Sequence, residues 1–184
     1  MKLSTISILN PDPEKVFQDM TAKSISFFCL QRPVYIGSNL IKEMKDISRA
    51  EGGCNVRVCL HSEPESKHHD MVVLENKNKY YPPHKHEEKG ECFHVIDGKL
   101  GILAFDDYGT IIDANLLEKG DIYRIEIGMY HAIIPVSDIV IYHESKPGPF
   151  LGGEDSIIPF WAAAEEDTKA VENYTFRALS KLGI

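Results

Sequence analysis

A change in hydrophobic period at Cys54 is the feature that most limits how this chain can fold. From Cys54 to His61 the residues alternate with a period of two, which indicates a β-strand. Turn signals such as Asp97-Gly98 and Lys119-Gly120 separate further short strands. The predicted strands cover residues 71–75, 80–81, 92–96, 100–105, 114–117, 122–127, 131–135 and 139–144. Many short strands with regular turns predict a closed sandwich or barrel.

Helical patterns flank this β-rich region. Asp12-Pro13-Glu14 has the form of a helix start, with Val16, Phe17 and Met20 on one helical face. A second helix is predicted from Ser38 to Gly52-Gly53, and a third after Pro159. We predict one structural domain in three parts: an N-terminal helical extension (residues 1–53) packed on a β-barrel (residues 54–163), and a C-terminal helix (residues 164–184).

Composition and charge exclude several classes of partner. The 184 residues carry a formal net charge of −8 with scattered basic residues, so no nucleic-acid groove is predicted. No apolar run reaches the ~18 residues of a membrane span, and none at the N-terminus suits a signal peptide. The four cysteines lack disulfide or metal-site spacing. We therefore expect a cytoplasmic protein with a small-molecule partner, and a homodimer because twofold dimers are the commonest closed assemblies.

Potential metal ligands lie in the middle of the β-rich region. His84 and His86 are two residues apart at a predicted strand edge, so both imidazoles leave one face about 6.5 Å apart. Glu91 adds a carboxylate, and His131 follows a later glycine-marked turn. Three imidazoles and one carboxylate suit Fe, Mn, Ni, Co or Zn and fit Mg or Ca poorly. On a divalent transition metal this set leaves positions for water or substrate, as reactive sites do.

These spacings resemble the two sequence motifs of the cupin family. His84-x-His86, four residues, Glu91, six residues and Gly98 match the first motif, and Gly120, ten residues and His131 match the second. Within the second motif, Glu126-Ile127-Gly128 stands where Pro-x-Gly is usual. The resemblance implies a mainly β fold, the cupin-type double-stranded jelly-roll barrel, with the metal held by the four side chains.

Further motifs resemble WbuC-type cupin metalloproteins, a family associated with bacterial surface-polysaccharide gene clusters. They are Pro83-His84-x-His86, Lys89-x-Glu91, Phe105-Asp106-Asp107-x-Gly109, Glu144-x-Lys146-x-Gly148-Pro149-Phe150 and Pro159-Phe160-Trp161-Ala162. The resemblance implies substrate-binding roles for Arg57 and His61, which share parity on one predicted strand, and stacking of Trp161 on a sugar ring. The structural alternatives are a solvated strand face for Arg57, a capped strand end for His61, and core or lid packing for Trp161.

Three charged residues are further candidates for substrate chemistry. Glu144 and Lys146 share parity before the Pro147-Gly148-Pro149 turn. We interpret Glu144 as a proton acceptor and Lys146 as the binder of an anionic substrate group. The alternative is a surface ion pair, worth about 0–1 kcal/mol. Lys89, between two predicted ligands, either holds a substrate carboxylate or is solvated.

The function predicted from these features is metal-dependent catalysis on a sugar or sugar nucleotide by isomerase, epimerase or lyase chemistry. A metal that binds two substrate oxygens acidifies or polarises them, and Glu144 then moves a proton. The polysaccharide pathway is implied by the resemblance alone. Three alternatives stay open: a non-haem Fe(II) dioxygenase, a non-catalytic small-ligand-binding cupin, and a metal-free structural cupin.

Overall fold

The computed structural model describes residues 6–77 and 79–184, over which the chain is mainly β with two helices. The strands are β1 (Val16–Asp19), β2 (Ile25–Cys29), β3 (Val56–Cys59), β4 (His68–Asn76), β5 (Glu91–Asp97), β6 (Leu100–Phe105), β7 (Ile111–Leu117), β8 (Ile122–Ile125), β9 (Tyr130–Pro135) and β10 (Ile139–Pro147). The helices are α1 (Ser38–Ala50) and α2 (Thr168–Lys181), and a 3₁₀ turn covers Gly152–Glu154. None of the helices in the described ranges is long and apolar enough to cross a bilayer.

The strands form two sheets. The larger sheet has the order β1-β2-β3-β4-β10-β5-β8, and the smaller has the order β7-β6-β9. β2 and β3 run parallel, and the other pairs are antiparallel. Side chains alternate between the two faces of a strand, so every strand in the middle of a sheet contributes to two different cores.

Three apolar cores stack the elements in layers. The central core lies between the sheets and joins Val95 and Tyr142 of the larger sheet to Leu100 and Ile102 of the smaller. The outer face of the larger sheet is covered by α1, and the outer face of the smaller sheet is covered by α2. The layer order is therefore helix, seven-stranded sheet, three-stranded sheet, helix.

Each helix covers its sheet through residues spaced one turn apart. In α1, Leu40 and Met44 are buried against the larger sheet, which confirms this predicted helix. Ser38 is its first residue and not its cap. In α2, Tyr174 and Ala178 pack on the smaller sheet, and the helix follows the predicted C-terminal pattern.

The predicted N-terminal helical arm is not present as such, because the first part of residues 1–53 joins the larger sheet. Residues 16–19, which we expected to be helical, form β1 and pair with β2. The helix start at Asp12 yields only one turn, in which the Val16 N–H donates to the Asp12 carbonyl. Phe17 and Met20 are exposed, so no helical face there is buried, whereas strand pairing satisfies the backbone.

Two smaller predictions are also wrong. Residues 80–81 are not in a strand, and His68 and His69, expected in a surface turn, begin β4. The predicted β-leaning segment at residues 3–9 lies partly outside the described residues, and residues 6–9 form no strand. The other predicted strands after Cys54 are present, with ends that differ by a few residues.

Candidate metal centre

A short extended segment carries the first two predicted ligands and is held on both edges. His84 pairs with His131 of β9 through N···O distances of 2.9 and 2.8 Å. On the other edge, Lys85 pairs with Ile157 at 3.0 and 2.9 Å. The segment therefore lies beside β9 although it is not part of either sheet.

Strand parity directs the other two predicted ligands into the space between the sheets. Glu91 opens β5 two residues before Phe93, which belongs to the central core. His131 is flanked in β9 by Tyr130 and Ala132, both of which pack towards α2. Because neighbours on a strand point to opposite faces, His131 points to the interior.

The four side chains converge on one point. One donor atom from each of His84, His86, Glu91 and His131 lies within 4.8 Å of the others. The Glu91 carboxylate lies 2.9 Å from His86 Nε2 through one oxygen and 2.9 Å from His131 Nε2 through the other. His86, Glu91 and His131 are buried, with exposed fractions of 3%, 3% and 1%.

The second nitrogen of each imidazole contacts a backbone carbonyl. The pairs are His84 Nδ1 with Pro82 (3.1 Å), His86 Nδ1 with Asp155, and His131 Nδ1 with Met129 (3.1 Å). A carbonyl only accepts, so each Nδ1 carries the proton, and in a neutral ring Nε2 then presents its lone pair. The three Nε2 atoms are left to bind a cation, with their rings oriented as metal-binding imidazoles are.

One orphaned atom tests whether these residues fit a metal. His86 Nε2 is buried and makes no hydrogen bond to any described residue, although it lies near Glu91 Oε1. A lone pair facing a carboxylate is unfavourable unless a positive charge, either a proton or a metal ion, lies between them. The donor types and the unsatisfied nitrogen both fit a divalent transition metal.

Electrostatics favours the metal-binding protonation states of two ligands. Burial acts to raise the pKa of Glu91, but the His131 and His86 imidazoles, each 2.9 Å away, and the nearby Lys146 ammonium hold it well below its usual range. Burial, with the repulsion from His131, lowers the pKa of His84 to about 4. Glu91 is therefore an anion and His84 a neutral donor near pH 7.

Glu144 and Lys146 lie directly beside this cluster. Lys146 Nζ is 2.7 Å from Glu91 Oε1 and 3.1 Å from Glu144 Oε1. Burial alone lowers the pKa of Lys146, but the Glu144 and Glu91 carboxylates raise it overall. Lys146 is therefore a half-buried cation that bridges the Glu91 carboxylate of the cluster and the Glu144 carboxylate outside it.

A row of side chains across the larger sheet extends from the cluster. Lys146 is paired with His69 in β4, and His69 stacks on His61 with ring centroids 4.1 Å apart. Burial, with the neighbouring His69, lowers the pKa of His61 to about 4. Arg57 lies two rows further into the sheet, where it pairs with Val73, and its buried Nε has no hydrogen-bond partner among the described residues. His69 was not predicted as part of this row, although it alternates with the core residues Met71 and Val73.

Lys89 is engaged with protein groups. Its ammonium donates to the Asp155 carboxylate and to the Pro149 carbonyl, and only 9% of the side chain is exposed. It therefore connects the ligand segment to the loop that follows β10.

Trp161 lies on the other side of the smaller sheet from the ligands. Its ring is 5.1 Å from Phe105 and 5.7 Å from Tyr130, and its Nε1 donates to the Asp107 carbonyl. Tyr130 faces α2 while its neighbour His131 faces the interior. Trp161 also borders a cavity of about 440 Å³ beside α2, and no cluster residue lines that cavity. The structure thus does not bring Trp161 together with the four ligands.

Comparisons with known proteins give partial similarities. A family described as a domain of unknown function, DUF6016, matches residues 36–117. No curated protein matches the sequence significantly.

Three solved structures are similar over about half of the chain. The capsular polysaccharide assembling protein CapF from Staphylococcus aureus is 19% identical over 58% of this chain and 30% of its own, with a TM-score of 0.49. The Schizosaccharomyces pombe Cnp3 cupin domain is 15% identical over 50% and 60% (TM-score 0.43). Bacillus subtilis oxalate decarboxylase is 13% identical over 57% and 27% (TM-score 0.46). The chain thus spans between 27% and 60% of the length of these proteins.

Proposed function

We propose that this chain is a cupin-type metalloprotein whose two sheets close as a double-stranded jelly-roll barrel around a divalent transition metal. The observation that carries the proposal is the convergence of His84, His86, Glu91 and His131 within 4.8 Å. The orphaned His86 Nε2 supports it, because a buried lone pair beside a carboxylate calls for a cation. The candidate metals are Fe, Mn, Ni, Co and Zn.

We further propose that the site is catalytic and acts on a small polar molecule. When bound, the metal polarises a substrate carbonyl or acidifies a substrate hydroxyl. Glu144 is a non-ligand carboxylate 3.1 Å from Lys146 Nζ, beside the ligand Glu91, and this position suits a base that accepts a substrate proton. Lys146 keeps its charge and can bind an anionic oxygen of the substrate.

The residues across the larger sheet are candidates for binding the rest of the substrate. His61 is neutral near pH 7, so it offers hydrogen bonds and no charge. Arg57 has an unpartnered buried Nε among the described residues. Substrate contacts by Lys89 and Trp161 stay predictions, as do the homodimer, the cytoplasmic location and the division of the chain at residues 53 and 163.

The substrate class follows from the sequence resemblance. WbuC-type cupins are associated with surface-polysaccharide gene clusters, so we propose a sugar or sugar nucleotide as substrate. Isomerase, epimerase and lyase reactions can each follow from the proton transfer assigned to Glu144. Fold alone does not choose among these reactions.

Metal content is the first test. Protein purified without added metal is analysed by elemental analysis, and His86→Ala is compared with wild type. We expect His86→Ala to lose the ion and keep its fold. The matched control is His94→Ala, because His94 lies on the same sheet but is exposed. Equal metal content in His86→Ala and wild type contradicts the ligand assignment.

Proton transfer is the second test. Metal-loaded protein is incubated with sugar nucleotides in D₂O, and NMR follows exchange of a substrate carbon-bound proton. Glu144→Gln is expected to lower exchange by 10²–10⁴-fold, the usual contribution of a general base. Glu118→Gln, which alters a surface pair with Lys99, is the control. Saturable binding without exchange or turnover under any metal favours the binding module, and O₂ uptake with Fe(II) alone favours the dioxygenase.

A further inference from the structure

We infer that Asp155 and Lys89 are a positioning pair that fixes the His86 imidazole for metal binding; the inference rests on the metal site proposed above. Asp155 lies in the loop between β10 and α2, 69 residues from His86 in the chain. It belongs to no motif that the sequence displays, and its side chain is not one of the four converging donors.

Asp155 contacts the ligand segment through its backbone and its side chain. Its carbonyl accepts the hydrogen bond from His86 Nδ1, and its carboxylate accepts from Lys89 Nζ. The same carboxylate accepts from the Leu151 N–H at 3.3 Å. The exposed fraction of the Asp155 side chain is 3% and that of Lys89 is 9%, so the ion pair is largely shielded from water.

Backbone hydrogen bonds next to the His86–Asp155 contact hold the two segments side by side. Lys85 and Ile157 exchange hydrogen bonds of 3.0 and 2.9 Å, so residues 155–157 lie along the ligand segment. Lys89 also donates to the carbonyl of Pro149. The loop after β10 is therefore attached to the ligand segment at three places, one of which is the imidazole itself.

The ion pair determines where the Asp155 carbonyl lies. Every residue has a carbonyl, so its presence at His86 Nδ1 depends on how the loop is held and not on the residue type. Lys89 is three residues after His86 and two before Glu91, so one buried side chain connects both ligands to the loop. A hydrogen bond at Nδ1 fixes the tautomer and orientation of a metal-binding imidazole and raises the basicity of Nε2.

The test uses Co²⁺ as the probe, with affinity measured by competition against a chromophoric chelator and geometry followed by the visible absorption of bound Co²⁺. Asp155→Asn and Lys89→Met each keep the backbone carbonyl and all four ligands. We expect each to weaken Co²⁺ binding about 10–100-fold and to alter the absorption bands. Lys89→Arg keeps the cation and is expected to restore both readouts.

The double variant Lys89→Met/Asp155→Asn separates positioning from folding, because it leaves no unpaired buried charge. We expect its thermal stability in chelator to exceed that of either single variant while its Co²⁺ affinity stays at least about 10-fold below wild type. Asp97→Asn breaks the Lys45–Asp97 pair elsewhere on the molecule and is the matched control, expected to bind Co²⁺ normally.

The outcomes distinguish this inference from the proposed function. Wild-type affinity and spectrum in Asp155→Asn or in the double variant overturn the positioning role while leaving the metal site intact. Failure of wild-type protein to bind Co²⁺ overturns both.

Discussion

The two ends of the space between the sheets differ in chemistry although the same strands line both. Along the inward face of β10, Val140 and Tyr142 lie in the central apolar core. Two and four residues further along that face, Glu144 and Lys146 lie beside Glu91, one of the four converging side chains. The inward face of β10 therefore lines an apolar end of this space with Val140 and Tyr142 and a polar end with Glu144 and Lys146.

The apolar end contributes mainly to the stability of the fold, and the polar end carries the groups proposed to function. Burial of apolar side chains at the first end stabilises the fold, whereas burial of charges at the second costs free energy unless each is paired. At the polar end, the Glu91 and Glu144 carboxylates outnumber the Lys146 ammonium, so the group carries one net negative charge when the imidazoles are neutral. A divalent cation compensates that charge, and we expect the polar end to be completed by one.

Loss of one ligand imidazole is expected to give the largest effect. His131→Ala removes a buried donor from the polar end, and we expect metal affinity to fall about 1,000-fold or more, equivalent to about 4 kcal/mol. Isothermal titration with Zn²⁺ measures it. His143→Ala, on the opposite face of β10 beside Asp70, is expected to retain wild-type affinity. Wild-type affinity in His131→Ala would contradict the assignment of the polar end.

A cavity made at the apolar end is expected to lower the stability of the fold and to leave metal affinity nearly unchanged. Ile102 is fully buried in the central core, so Ile102→Ala is expected to lower the free energy of unfolding by about 3 kcal/mol. Urea denaturation in chelator measures this change, and Zn²⁺ affinity is expected to stay within a factor of about 3. Ile112→Ala, at a position 57% exposed, is the control. A large loss of affinity in Ile102→Ala would show that the two ends are not independent.

Features of the molecule that depend on residues close together in the chain were predicted well from the sequence. The convergence of the four side chains follows from spacings within two short motifs, and α1 follows from a periodic stripe with a glycine stop. β1 did not follow, because its stability comes from pairing with β2 and not from its own pattern. Local propensity is a weak prior when tertiary pairing supplies the hydrogen bonds.

Contacts between residues far apart in the chain could not be predicted, because they also depend on tertiary structure and not on a local pattern. The Lys89–Asp155 pair joins residues 66 apart, and neither position carries a periodic signal. Trp161 lies in a loop, where parity does not define a face, so the sequence did not assign it to one side of the smaller sheet. His69 was predictable from its alternation with Met71, but the polar residues before it indicated a turn.

The buried Glu75 carboxyl at the apolar end is expected to make the stability of the protein depend on pH. It is a buried carboxyl, and burial raises its pKa from the usual 4.5 to about 7, against partly opposing hydrogen bonds from Tyr81 and Tyr142. Because the folded-state pKa lies above the unfolded one, the folded state holds the proton more tightly. The stabilising contribution is therefore complete below pH 4.5, declines from pH 4.5 to about 7 and is lost above that.

We expect Glu75→Gln to remove this pH dependence. Each pKa unit corresponds to about 1.4 kcal/mol, so wild type is expected to lose about 3 kcal/mol of stability relative to Glu75→Gln between pH 4.5 and pH 8. Urea denaturation at the two pH values measures it. Glu63→Gln, at an exposed position, is expected to follow the wild-type curve. A variant whose stability changes with pH as wild type does would contradict the assignment to Glu75.

Gly109 tests the outer face of the smaller sheet, with the smallest expected effect. A Cβ at Gly109 meets the Trp161 ring at 2.7 Å, whereas a Cβ at Gly120 has no described atom within 4 Å, although both glycines have positive φ. We expect Gly120→Ala to cost about 1 kcal/mol through backbone strain and Gly109→Ala about 1 kcal/mol more, with a change in tryptophan emission. Trp161 is the only tryptophan, so its fluorescence reports on this face alone. Zn²⁺ binding is expected to leave the emission unchanged, because β9 separates the ring from the ligands; a strong response to Zn²⁺ would instead connect Trp161 to the polar end.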